Sequence, residues 1–463
     1  MSSTHIADLT ARLGASAIPA AGFGVPLLAG FTTVFPGRTR RYAGDPGSIL
    51  QAMLDDGFVA GDALYRMASK LLAQEFAPRE IVIGRLASAH TQTVVLTPKN
   101  LTEASEYVIT ITSPLGAETF TYEVGAGGET AAEIATALHA LIAAAATVTD
   151  VTSVDGTGFI TLDATTAGDT FAVTWTVNAK SRPADLDILD TTADVGLSAD
   201  LTAIEADDPS WYALMLDVES AALATTAATW VSTRKKVYFA QTADSDATET
   251  GTSTDIGSVA LAATNNRVAP VWEPQYRQYT GCALAGTMLP RRPGSGTWAN
   301  KRLRSVTAAD LTPALFNALK AKRYTTLRTL NASLSATTDG QVAGEYKYID
   351  ILRSFDYVEA AGEAALVNLS LSNSKVPFTT VGLALVRQAL ERVVRDAVSL
   401  GILSAGDPDN AAEDPLPLVI MPSIGDPGAD LTARTARELS QFKITGRFQG
   451  AIHSYIGEVI IGF

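Results

Sequence analysis

Two consecutive helical patterns dominate the last third of the chain, over residues 344–403. Apolar residues recur there at spacings of three, four or seven, the period of one helical face. Pro377 lies between the two patterns and prevents one continuous helix, because its ring removes a donor and clashes with the preceding turn. Thr379 or Thr380 can cap the second helix, and Gly401 suits the left-handed residue that ends it. The two predicted stripes are Leu352, Phe355, Gly362, Leu366 and Leu369, then Val386, Leu390, Val393, Ala397 and Leu400.

The first third of the chain alternates between strand and helix patterns. An apolar run at 27–31, a helical pattern over 49–74 and an apolar run at 80–85 predict an α/β beginning. Pro270 interrupts a later strand, which we therefore expect at the edge of its sheet. The alternation predicts a discontinuous α/β domain of residues 31–90 and 195–300, preceded by an extended arm of residues 1–30. Its later strands are predicted at 210–217, 236–240 and 267–272, with helices at 219–233, 255–265 and 279–288.

Residues 91–190 differ in composition from their flanks, being rich in Thr, Val, Ala and Gly in short alternating runs. The runs predict a compact module of order β-β-α-β-β inserted between the two parts of the α/β domain. Residues 185–208 are acidic and rich in turn formers, and we expect a return linker there. The strands are predicted at 107–112, 118–124, 158–163 and 170–176, with the helix at 130–146.

Period-two alternation returns at the carboxyl end. A strand at the chain terminus has no following element to cover its edge, and exposed apolar edges invite pairing with another chain. We therefore predict a C-terminal domain of residues 301–463 whose terminal strand region, residues 442–463, joins subunits. The apolar positions of this inter-subunit strand are Phe442, Ile444, Phe448, Val459, Ile461 and Phe463.

The sequence of residues 348–403 resembles that of contractile tail sheath proteins of tailed phages. The similar segments are YIDILRSFDYVEAA, LSNSKVPFTTVGLALVRQALERVV and GIL. The segment PREIVIGR at residues 78–85 is similar to a sequence motif of the same family. The likeness is greatest to the short-chain myophage branch formerly of unknown function. The inserted module also resembles one that projects from phage tail and baseplate proteins.

This resemblance implies a mixed α/β (α+β) fold: a sheath-type α/β core, an inserted β-rich module and a C-terminal domain with a helix pair and a strand. It implies a structural virion subunit, synthesised in the host cytoplasm, that forms stacked hexameric rings around the tail tube. Contraction would drive the tube through the host envelope. The implied partners are the chain itself, the tail tube protein, and the baseplate and tail terminator proteins.

Composition narrows the function further. A net charge of −14 argues against general nucleic-acid binding through phosphate neutralisation. The N-terminus lacks the basic and apolar regions of a signal peptide, and no stretch approaches the ~20 apolar residues of a membrane span, so we expect no membrane insertion. The single cysteine, Cys282, lies in an apolar run and is expected to be a buried core thiol.

No motif indicates catalysis, a cofactor or a metal. Gly125–Gly128 precede a helix but lack the Lys-Ser/Thr of a phosphate loop. The four histidines, His5, His90, His139 and His453, are scattered without ligand spacing. Two other classes stay open: a soluble α/β hydrolase-like enzyme, for which only Asp217 at a strand end is suggestive, or another virion component such as a baseplate or capsid protein.

Three basic residues, Lys320, Lys322 and Arg323, close the helix predicted at 312–323. Cations favour a helix C-terminus because they complement its dipole, which is the simplest interpretation. The alternative is a tube-facing basic patch on an otherwise acidic protein.

Overall fold

The computed structural model describes residues 23–331 and 334–453. Its contacts divide the chain into two compact units. The first, which we call the α/β unit, comprises Gly24–Pro290 and Trp298–Tyr348. The second, the C-terminal unit, comprises Met1–Phe23, Arg291–Thr297 and Ile349–Phe463.

The strands, in chain order, are β1 (Pro26–Phe31), β2 (Thr39–Ala43), β3 (Glu80–Leu86), β4 (Thr93–Pro98), β5 (Glu106–Ser113), β6 (Gly116–Glu123), β7 (Val151–Asp155), β8 (Ile160–Ala164), β9 (Ala172–Val177), β10 (Leu186–Asp190), β11 (Ala213–Leu216), β12 (Val237–Thr242), β13 (Val268–Trp272), β14 (Leu327–Asn331), β15 (Leu334–Thr337), β16 (Leu418–Ile420) and β17 (Lys443–Thr445). The α-helices are α1 (Pro46–Asp56), α2 (Ala63–Leu72), α3 (Ala131–Ala143), α4 (Leu197–Asp207), α5 (Ala221–Ser232), α6 (Ile256–Ala262), α7 (Thr280–Met288), α8 (Pro313–Ala321), α9 (Ile349–Ser372), α10 (Thr380–Ser399) and α11 (Leu431–Ala436).

A six-stranded sheet of order β13-β12-β11-β1-β3-β2 forms the centre of the α/β unit. Every pairing in it is parallel except that of β2 with β3. β11, β12 and β13 are buried along their whole length, as expected for parallel strands covered on both faces. Pro270 lies in edge strand β13, where its missing N–H costs least, so the edge prediction is confirmed.

Two predictions for the α/β unit are wrong in detail. The pattern over 49–74 is two helices, because Gly57 at φ +111° ends α1 in the left-handed conformation. The supposed linker at 185–208 contains β10 and α4. Its acidic residues are structural: Asp194 accepts hydrogen bonds from the amides of Gly196 and Leu197, both at 2.9 Å, at the start of α4.

The inserted region holds two small sheets, β6-β5-β9 and β10-β4-β8-β7, packed with α3 around a core of its own. All four predicted strands and the helix are present, but β4, β7 and β10 were not predicted. Two glutamine side chains pair with the backbone of this region. Gln92 accepts from the Phe171 amide at 2.8 Å and donates to its carbonyl at 2.9 Å. Gln275 accepts from the Trp175 amide at 2.6 Å and donates to its carbonyl at 2.9 Å.

The C-terminal unit contains the predicted helix pair, α9 and α10. The Thr379 hydroxyl caps α10 by accepting from the Gly382 amide at 3.4 Å, and Gly401 has φ +74°, so both end signals are confirmed. Gly382 is required by close approach, because a Cβ there would lie 1.7 Å from the Pro377 carbonyl oxygen. The second stripe packs into the core of the unit around the fully buried Leu390.

Candidate functional site

The C-terminal unit contains a two-stranded sheet near the end of the described residues. β16 and β17 are antiparallel, with Val419 opposite Ile444. Val419 and Ile444 point into the core of the unit, whereas Leu418 and Ile420 are exposed by 48% and 40%. Among the described residues, β16 and β17 pair only with each other.

The residues predicted to join subunits fall into two groups. Phe442 and Ile444 are buried in the core of their own unit, and Phe448 packs against that core while bridging Leu403. Their side chains are thus used within the subunit, and only the main-chain edge of β17 can serve a neighbour. Val459, Ile461 and Phe463 lie outside the described residues, as does the arm before Phe23. The inter-subunit role stays a prediction for both groups.

Exposed apolar side chains are frequent around this small sheet. Apolar surface beyond scattered single residues usually marks an interaction site. The segment following Asp414 carries most of them in the C-terminal unit, with Leu431 exposed by 77%. The set comprises Leu416, Leu418, Ile420, Ile424, Leu431 and Ile452.

The three basic residues after α8 do not form an exposed patch. Lys322 is buried, and its ammonium donates to the Asp255 carboxylate at 2.7 Å, the Asp246 carbonyl at 2.6 Å and the Thr252 hydroxyl at 3.0 Å. Arg323 donates to the carbonyls of Val342 and Gly344. The predicted patch is therefore wrong for Lys322, because its charge is neutralised internally. Lys320 alone keeps an exposed amine, 3.5 Å from Asp339.

A different cationic surface lies on α10. Arg387 and Arg395 are exposed two turns apart with Glu391 between them, and Arg392 is exposed where it lines a groove beside α9. No described residue forms an ion pair with any of the three. On a chain of net charge −14, this face is suited to an acidic partner. The sequence gives the positions of these arginines, but which of them are exposed is decided by how α10 packs against α9.

Two carboxylates lie at the carboxyl ends of the parallel strands. Asp217 follows β11 and lies against Gly30, where a Cβ would be 2.6 Å from the carboxylate oxygen; burial raises its pKa. Glu273 follows β13 and accepts from the amides of Gln278 at 3.0 Å and Thr280 at 2.7 Å, which caps α7. Open α/β sheets bind ligands at these strand ends. Here the contacts of Glu273 are structural, whereas both carboxylate oxygens of the buried Glu219 have no hydrogen-bond partner among the described residues.

The remaining chemical candidates are also structural. Cys282 is fully buried, as predicted, and burial raises the pKa of its thiol well above the ordinary value. Within the described part of the chain, no three His, Cys, Asp or Glu side chains are grouped to hold a metal ion. None of the described helices combines the length and apolarity needed to cross a membrane.

The fold was compared with known proteins. No protein-family model matches the chain, and no curated protein sequence matches it. Two solved structures match over nearly the whole length. The PVC sheath complex of an extracellular contractile injection system, in its contracted state, is 10% identical; the match covers 99% of this chain and 97% of that chain at a TM-score of 0.53. The contracted helical sheath of the anti-feeding prophage is 12% identical, with 99% and 96% covered at 0.51.

These matches define a class: the chain has the mixed α/β fold of contractile sheath proteins. The resemblance to tail sheath proteins that the sequence indicated is confirmed at the level of the fold, as is the predicted fold class.

Proposed function

We propose that this chain is a structural, non-catalytic subunit of a contractile tail sheath, carried in the virion as stacked hexameric rings around a tail tube. The observation that carries this proposal is the match of 99% of the chain to two assembled sheaths. The two sheath neighbours favour a structural protein over the hydrolase-like alternative. Baseplate and tail terminator proteins would be its partners at the two ends of the sheath.

Subunits would be joined by strand addition to the free edges of β16 and β17. Main-chain hydrogen bonds supply affinity in this mode, and outward side chains supply specificity. The exposed Leu418 and Ile420 offer apolar contacts on the outer face. The donated strands would come from the terminal segment carrying Val459, Ile461 and Phe463 of one neighbour and from the N-terminal arm of another.

Contraction would be a change of packing between rigid subunits. Interfaces that have two alternative packings switch between them by rigid-body rotation, and the strand-paired arms would keep the subunits connected. A difference of a few kcal/mol per subunit is sufficient, because every subunit of the lattice contributes. The released free energy would drive the tube through the host envelope.

Assembly can be tested with two aspartate variants of exposed strand residues. Leu418→Asp places a charge on the outer face of β16, whereas Val154→Asp places one on β7 in the insertion, where the side chain is 56% exposed. We expect both proteins to be folded by circular dichroism, and negative-stain microscopy to show cylinders or rings for wild type and Val154→Asp only. Deleting residues 459–463 should also abolish polymers. Normal cylinders from Leu418→Asp and from the deletion would contradict strand addition at this sheet.

The exposed arginine face of α10 is the surface that we assign to the tube. Arg387→Glu with Arg395→Glu should leave sheath polymerisation intact but abolish co-sedimentation of polymers with tubes. The matched control is Arg79→Glu with Arg302→Glu, which reverses two exposed arginines of the α/β unit. Equal tube binding by both double variants would refute the assignment.

A further inference from the structure

Two buried glutamates lie where the parallel strands of the α/β unit end. Glu219 follows β11 and Glu273 directly follows β13, and both side chains are almost completely buried. No N–H or O–H donor of the described residues reaches either carboxylate oxygen of Glu219. Burial of an ionised carboxylate without such donors is costly, because its hydrogen bonds to water are lost and not replaced. The ionised form of Glu219 is therefore disfavoured at this position.

The group beside Glu219 is another carboxyl. The Glu273 side chain is within hydrogen-bond reach of Glu219. Glu273 already accepts from the main-chain amides of Gln278 at 3.0 Å, Tyr279 at 3.4 Å and Thr280 at 2.7 Å, and these donors favour its ionised form. Two ionised carboxylates are both acceptors and repel each other, whereas a protonated Glu219 is a donor that can bond to Glu273.

The charges around the pair favour a protonated Glu219. Burial raises the pKa of Glu219 well above its ordinary value, and the neighbouring charge of Glu273 raises it further. Arg277 acts in the opposite direction, but its Nη1 donates to Gln92 at 2.9 Å and to the Phe171 carbonyl at 3.0 Å instead. The ionisable groups that face the pair are Lys70 on α2, Asp190 on β10, Tyr238 on β12, Tyr276, Arg277 and Tyr279 between β13 and α7, and Cys282 on α7.

The two chain segments that carry the glutamates also hold the inserted region. After β11, the Glu219 amide donates to the carboxylate of Asp190, the last residue of β10, at 3.3 Å. After β13, the Gln275 side chain bonds to both main-chain groups of Trp175 in β9. A bond between Glu219 and Glu273 therefore connects two separate attachments of the inserted region.

We propose that Glu219 and Glu273 bind one proton between them, and that this proton fastens the inserted region to the carboxyl ends of the sheet. Glu219 carries the proton and ionised Glu273 accepts it in a hydrogen bond. Loss of the proton adds a second negative charge to the buried pair, and the repulsion separates the segments after β11 and β13. The proton is bound by the folded subunit alone, so this proposal and the sheath assignment can each fail without the other.

Isotope-edited infrared spectroscopy of the full-length chain, with carbon-13-labelled glutamate, detects the proton directly. At pH 6 a glutamate of ordinary pKa, about 4.3, is almost entirely ionised, so we expect wild type to show the C=O stretch of a protonated glutamate. Glu219→Gln should lose this band, whereas Glu249→Gln, at an exposed loop position, should keep it. A wild-type spectrum without the band would overturn the proposal even if the variant failed to fold, and so would a band that persists in folded Glu219→Gln.

The pH dependence of urea unfolding provides a second test. Because the folded-state pKa of Glu219 is raised, its contribution to stability is complete below about pH 4 and is lost as pH rises through the folded-state pKa. The unfolding equilibrium constant of wild type, relative to that of Glu219→Gln, should increase about tenfold per pH unit from pH 5 up to that pKa. Groups that titrate in both proteins cancel in this ratio, and Glu249→Gln should follow wild type. A ratio that is the same at pH 5 and pH 7 would contradict the shared proton.

Hydrogen exchange tests the attachment of the inserted region. At equal pH the intrinsic exchange rates of wild type and Glu219→Gln are the same, so the ratio of their β9 and β10 rates reports how often the joint opens. We expect this ratio to rise several-fold from pH 5 to pH 7, while the ratio for the α10 amides of the C-terminal unit stays constant. An unchanged ratio for β9 and β10 would show that the proton does not hold the inserted region.

Discussion

Replacing Lys322 tests whether its charge is buried in an ion pair or exposed on the surface. In the structure its ammonium lies 2.7 Å from the Asp255 carboxylate, which is fully buried and also accepts from Tyr324 at 2.9 Å and caps α6 through the Ser258 amide at 3.0 Å. Lys322→Met keeps most of the side-chain volume but leaves this carboxylate without its cation.

The expected cost is large. Removing one partner of a buried ion pair leaves an uncompensated buried charge, which costs about 3–5 kcal/mol. Lys320→Met is the matched control, two residues earlier in the chain. Its side chain is 55% exposed and its amine lies 3.5 Å from Asp339, so screening limits the loss to about 0–0.5 kcal/mol. Adding Asp255→Asn to Lys322→Met should recover part of the stability by removing the unpaired charge.

Urea unfolding followed by tryptophan fluorescence is a suitable assay. All five tryptophans, Trp175, Trp211, Trp230, Trp272 and Trp298, lie in the α/β unit, so the signal reports the unit that holds the ion pair. We expect a clearly lower midpoint for Lys322→Met and an unchanged one for Lys320→Met. Free energies of unfolding that agree within about 0.5 kcal/mol for the two variants would refute the buried pairing.

Three further outcomes follow from the same structure. Burial by itself would raise the pKa of Asp255, but its hydrogen bonds from Lys322 and Ser258 hold that pKa below the ordinary value. The resulting stability is present above about pH 4 and is lost as pH falls through the lower folded-state pKa, so the gap in unfolding free energy between wild type and Lys322→Met should shrink as pH falls below about 4, and a gap that widens there would contradict the pairing. Gly168 has φ +96°, and a Cβ there would lie 2.2 Å from the Phe31 ring. Gly168→Ala should therefore destabilise the α/β unit by about 1–3 kcal/mol in the fluorescence assay. A neutral effect would show that Phe31 can move. Ile444→Ala opens a cavity in the C-terminal core and should lower the stability of that unit by about 2–5 kcal/mol. Hydrogen exchange of the α10 amides measures this loss. Unchanged protection would place Ile444 outside that core.

The elements that sequence predicted well are those whose local signals agree with their packing. α9 and α10 had a regular stripe, a capping threonine and a breaking proline, and β13 carried a proline that only an edge strand accommodates. α4 was missed because its acidic residues are typical of loops, although in the fold Asp200 pairs with Arg38 at 2.7 Å and accepts from the Ala87 and Ser88 amides. Those partners lie more than one hundred positions away in the chain.

The candidate site was less predictable for a related reason. Period-two alternation located β17 but could not show that Ile444 faces its own core while Leu418 on β16 faces outward, because strand pairing over 25 residues decides which face is buried. Lys322 and the arginines of α10 look alike in sequence. Only the tertiary contacts separate an internal counter-ion from a free cation.

Gln92 and Gln275 each attach a backbone segment of the inserted region through an amide group. One of the two contacts in each case depends on the amide nitrogen. A carboxamide imitates the backbone because it carries both an N–H donor and a carbonyl acceptor, which is how Gln275 engages both groups of Trp175. Hydrolysis of that amide would exchange nitrogen for oxygen, turning the contact with the carbonyl from attraction into repulsion while leaving shape and volume almost unchanged. Hydrolysis of Gln275 would therefore weaken the attachment of β9, and hydrolysis of Gln92 that of the neighbouring Phe171, while each side chain kept its size.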